Sequence, residues 1–162
     1  MFCDIDEAGR ILEVCATARA SLLEDTQCET HSLALMGRKI SSVAYGLLLI
    51  NNYDVLIIGG SVEVNGSRQE HCWLEVYLGP DLFVLDAAYP LYVEKMGFKA
   101  TPDCKEKDIV FLPKEETADL YLQGKVQDWD EEDCSPNALQ RAAKLLGIKK
   151  SLAEIYDEIS SI

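Results

Sequence analysis

The stretch from His71 to Leu78 alternates in a way that only a β-strand satisfies. With a period of two, His71, Trp73, Glu75 and Tyr77 share one face, and Cys72, Leu74, Val76 and Leu78 share the other. The second face is plain core, so the histidine belongs to the chemically mixed side. Gly79-Pro80-Asp81 reads as a turn and Leu82 to Asp86 as the returning strand. The hairpin therefore carries an acid back beside the histidine, which is how an imidazole is held in one orientation.

The elements around this hairpin read as helices first and an antiparallel sheet after them, an α+β order. Asp6 to Leu23 is an amphipathic helix, with Ile11, Leu12, Val14, Cys15, Ala18 and Leu22 spaced for burial. Leu33, Met36, Ile40, Val43, Leu47 and Ile50 recur at alternating spacings of three and four, the seam of one long helix from about Gln27 to Asn52. Gly37, followed by Arg38 and Lys39, has the look of a helix stop, but the seam runs through it, with a bend allowed there. Strands are expected at Val55 to Ile58, Ser61 to Val64, His71 to Leu78, Leu82 to Asp86 and Ile109 to Leu112, with Asn65-Gly66-Ser67 as a hairpin turn. Gly59-Gly60 lacks the context of a phosphate loop and reads as a bulge or a close backbone approach. Glu115 to Leu122 has no clear pattern. Ser135-Pro136 starts a helix that Gly147 ends, and Ser151 with Glu154 forms a capping box for a last short helix. At 162 residues and 48% hydrophobic composition the chain supports one core. A single domain over residues 1–162 is expected, with the helices of 135–162 covering the sheet.

An oriented imidazole serves acyl chemistry only if a nucleophile faces it, and Cys28 is the upstream candidate. Thr26 and Glu29 form a capping-box pair that places Cys28 in the first turn of a helix, where the dipole and free N–H groups favour a thiolate. His31 lies one turn later and reads as a helix-surface residue. The blocks Cys28-Glu-Thr-His-Ser32-Leu33-Ala34-Leu35, Gly59-Gly60-Ser61-Val62, His71-x-Trp73-x-Glu75-Val76 and Val84-Leu85-Asp86 resemble those of transglutaminase-like, papain-like cysteine peptidases. The first is most similar to the subgroup that removes leader peptides from lasso-peptide precursors. The resemblance spans roughly residues 26–90. It implies N-terminal helices packed on an antiparallel sheet, with Cys28 as nucleophile, His71 as base and Asp86 orienting His71 to complete a catalytic triad. Trp73 would line the substrate cleft. A thioester intermediate is implied, resolved by water in a hydrolase or by an amine in a transferase. A competing alignment starts the family's helix near Ser41 or Ser42 and leaves no cysteine at its head, which describes an inactive binding or inhibitory protein.

Composition narrows the partners. Six cysteines without Cys-x-x-Cys pairs or an export-type start suggest a reducing, cytoplasmic setting and no structural metal. No cofactor motif is present, and the longest apolar run is too short for a membrane span. A net charge of -13 opposes phosphate contacts, so no nucleic acid is expected as a ligand; it would steer a basic peptide or protein instead. Charge alone also admits an acidic mimic of nucleic acid. The acidic run Asp128 to Asp133 reads as a solvated loop.

Overall fold

A five-stranded antiparallel sheet in the order β4-β3-β2-β1-β5 forms one layer, and helices cover one of its faces. The computed structural model describes residues 5–24, 33–64, 66–90 and 109–161. Helices α1 (Ile5–Leu23) and α2 (Leu33–Ile50) precede β1 (Asp54–Val64), β2 (Ser67–Leu78), β3 (Asp81–Asp86), β4 (Val110–Pro113) and β5 (Tyr121–Gln127); α3 (Pro136–Leu145) and α4 (Leu152–Ser160) close the chain. The α+β class expected from the element order is what the described residues form.

Alternation along the strands makes two apolar layers rather than one. Val55 and Ile57 of β1, Cys72, Leu74, Val76 and Leu78 of β2, and Phe83 and Leu85 of β3 meet the helices in the larger core. Ile58, Val62, Trp73, Val84, Val110 and Tyr121 form a second buried cluster on the opposite face. The face that carries His71 is therefore also interior, although Tyr77 at its end is exposed. Helix α2 contributes Met36, Ile40, Val43 and Leu47 from the seam, and it passes through Gly37 without a break. Residues 27–32, where the helix was expected to start, lie outside the described residues. Helices α3 and α4 pack on α1 and α2, with Ala138, Leu139, Ile155 and Ile159 entering the helical core. The Ser151–Glu154 capping box is fully formed, and Gly147 takes a positive φ of 74° after α3.

The expected strands at 55–58 and 61–64 are one continuous strand, because the Gly59-Gly60 pair stays in the ladder with β2. Its irregularity falls on the other side, where the β1–β5 register shifts between Gly59 and Ser61. A Cβ on Gly60 would stand 2.5 Å from the Leu122 carbonyl oxygen and 2.7 Å from the Trp73 ring, while one on Gly124 would stand 3.2 Å from that same ring. Two glycines on adjacent strands thus let the indole lie against backbone. Gly60→Ala should lower stability by about 1–3 kcal/mol, read as a fall in the urea midpoint, because the obstructing atom is a carbonyl that cannot rotate away.

Candidate functional site

β3 pairs with β2 as far as Leu85 and Leu74, and the next residue, Asp86, reaches His71. The His71 Nε2 to Asp86 Oδ2 separation is 2.7 Å with both side chains fully buried. The Asp86 carboxylate has three further partners. Tyr121 Oη donates to Oδ2 at 2.8 Å, and the Ala88 and Tyr89 backbone N–H groups donate to Oδ1 at 2.9 and 3.1 Å. Four donors fill the acceptor capacity of a carboxylate, so Nε2 must carry its hydrogen and donate it. Burial alone would push the Asp86 carboxyl up, but attraction to His71 and these hydrogen bonds outweigh it and hold the group below the ordinary carboxylate range.

Neighbouring elements fix the turn that supplies two of those donors. Tyr89 Oη donates to the Glu63 carbonyl at 3.0 Å, and Arg19 Nη1 on α1 donates to the Ala87 carbonyl at 3.0 Å. Trp73, Tyr89 and Tyr121 enclose the acid, with ring centroids of Trp73 and Tyr121 4.9 Å apart. Tyr121 was not among the residues singled out from sequence. Its only local signal is an aromatic at the edge of a patternless segment, and its partner is far away in the chain.

The other edge of the imidazole faces α2. His71 Nδ1 is buried and has no hydrogen-bond partner among the described residues. The helical residue against it is Gly37, where a Cβ would stand 2.5 Å from both Nδ1 and Cε1 of His71 and 2.7 Å from the Cys72 carbonyl oxygen. Bare helix backbone at Gly37 therefore lies against the Nδ1 edge of the ring. One turn on, Ser41 Oγ donates to the same Cys72 carbonyl at 3.3 Å, clamping α2 to β2.

Of the four sequence-derived site residues, the structure brings His71, Asp86 and Trp73 together, while Cys28 lies outside the described residues, as does the neighbouring His31. The three described cysteines, Cys15, Cys72 and Cys134, are buried and reduced, and desolvation pushes each thiol up to about 12, which makes them inert core groups. No cluster of potential metal ligands occurs among the described residues, and no described helix is long and apolar enough to cross a membrane. Compared with family models, curated proteins and solved structures, the chain matches none.

Two outcomes follow. Gly37→Ala should cost about 1–3 kcal/mol of stability, visible as a lower urea midpoint, because the new methyl must displace either the imidazole or the β2 backbone. Asp86 contributes stability that is complete above the ordinary carboxylate pKa and is lost as pH falls through its lowered folded value. The advantage of wild type over Asp86→Asn should accordingly be full near neutrality and shrink below about pH 4, when both are unfolded in urea across a pH series.

Proposed function

We propose that this chain is a transglutaminase-like binding or inhibitory domain that keeps the histidine–acid couple as an organising element and does not perform cysteine catalysis. The observation that carries this reading is Gly37. A base that takes a thiol proton needs the sulfur at hydrogen-bond distance from its free nitrogen. At His71 Nδ1 that place is bordered by a residue without a side chain. The competing alignment, which starts the family's helix near Ser41 or Ser42 with no cysteine at its head, agrees with an inactive site, although α2 itself already runs from Leu33. In that arrangement the His71–Asp86–Tyr121 network holds β2, β3 and β5 in one conformation, and a peptide or protein partner is bound without being cleaved.

A second reading is favoured by one specific observation, the lack of a hydrogen-bond partner for the same nitrogen among the described residues. A buried acceptor left without a partner costs about 1–3 kcal/mol, and an imidazole held by an acid at Nε2 with an unused lone pair at Nδ1 is the arrangement a general base requires. In that reading Cys28 Sγ gives its proton to Nδ1 and attacks a carbonyl carbon. The tetrahedral adduct collapses to a thioester as the C–N bond breaks and the amine leaves with the proton from the imidazolium; water then adds to the thioester, releasing the acid and restoring the Cys28 thiol.

Residue-resolved iodoacetamide labelling separates the two. The binding reading predicts that Cys28 gains reactivity only as pH approaches the ordinary thiol pKa of about 8.5, and that His71→Ala leaves its rate unchanged. Fast labelling of Cys28 below neutral pH that is abolished by His71→Ala would instead establish the peptidase or amidohydrolase. Cys15, Cys72 and Cys134 supply the internal control, since all three should stay unmodified while the fold is intact.

A further inference from the structure

On the sheet face opposite the helices, a cleft of about 540 Å³ opens between the β2–β3 hairpin and the segment that leads from β4 into β5. Trp73, Glu75, Leu82, Val84, Lys114 and Tyr121 are among its walls. Glu75 is the unusual member. Its carboxylate is almost wholly buried, at 4% side-chain exposure, yet its hydrogen bonding among the described residues is a single contact of 3.1 Å from Lys114 Nζ to Oε1. A carboxylate removed from water needs its charge balanced and its remaining lone pairs used. Lys114 meets that need from outside, with a side chain 57% exposed on a short helical turn (Lys114–Thr117), so its ammonium returns to solvent easily.

We propose that this cleft binds an arginine side chain of an extended peptide, with the guanidinium taking the place of Lys114 on Glu75. A planar guanidinium presents two parallel N–H groups and so engages both carboxylate oxygens, where the ammonium engages one. Its aliphatic stem lies along Leu82, the partly exposed apolar wall of the cleft, with Val84 and Trp73 buried beneath. Asp81 and Glu115 leave the rim acidic against the one lysine, and the net charge of -13 draws a basic partner toward it. This deepens the binding reading by naming the partner's chemistry, but it involves neither Cys28 nor the Nδ1 edge of His71, so the two are tested separately.

The test is titration of the full chain with Ac-Ala-Ala-Arg-Ala-Ala-NH₂, followed by tryptophan fluorescence and calorimetry, against the citrulline version of the peptide and free arginine. Saturable binding of the arginine peptide is expected, with the neutral citrulline peptide and free arginine each weaker by about tenfold or more, the scale of a lost charge-assisted pair or of lost backbone contacts. Glu75→Gln should weaken the arginine peptide by at least about tenfold, while Glu115→Gln on the rim changes it less than about threefold. Lys114→Gln removes the competing cation and should tighten binding. Three results would overturn the proposal: no saturable response from either wild type or Lys114→Gln at millimolar peptide, equal binding of the citrulline peptide, or full retention of binding in Glu75→Gln. Since Lys114→Gln leaves the buried carboxylate in place and predicts a gain, misfolding of the Glu75 variant does not rescue a failed outcome.

Discussion

A buried carboxylate with four hydrogen-bond donors is the constraint from which the rest of the architecture follows. Asp86 takes one donor from β2, one from β5 and two from the turn that follows its own strand. Losing any donor leaves charge uncompensated in the interior, a larger penalty than loss of an apolar contact of similar size. The acid thus fixes the ring orientation of His71, the position of Tyr121 and the path of residues 86–89 together. Arg19 and Tyr89 then tie that path to α1 and to the end of β1. The aromatic cluster around it excludes water and strengthens each of these bonds.

The same ring is met on its opposite edge by backbone. Gly37 permits α2 to approach β2 closely enough that the Cys72 carbonyl and the imidazole both touch the helix surface. A larger residue would hold α2 off the sheet and loosen the seam of Met36, Ile40, Val43 and Leu47 against the core. The imidazole–acid couple, together with Tyr121, joins three strands in one hydrogen-bonded network.

Much of this was legible in the local pattern. The His71–Leu78 alternation and the Gly79-Pro80-Asp81 turn placed the acid beside the histidine correctly, because hairpin register follows from turn position and a period of two. The α2 seam outweighed the stop signal at Gly37, since six apolar positions in register represent more buried surface than one glycine costs. The closing strand β5 and its tyrosine were not legible. Strand β5 is exposed along most of its length, contains Gly124 and holds Gln123 at a positive φ of 56°, so no apolar alternation marks it. The reason for Gly37 is also invisible locally, because the atoms that forbid a Cβ belong to a strand far along the chain. The burial of Glu75 has no local sign for the same reason, since it depends on a segment from beyond β4 folding over it.

The most direct probe of the imidazole environment is a proton–nitrogen correlation spectrum of the His71 ring in wild type and in Cys28→Ala. Hydrogen on Nε2, an Nδ1 shift typical of an unbonded lone pair, and identical spectra in the two proteins are expected if helix backbone alone faces that nitrogen. An Nδ1 that is protonated in wild type and loses its proton in Cys28→Ala would reveal a thiolate–imidazolium pair and contradict the non-catalytic reading.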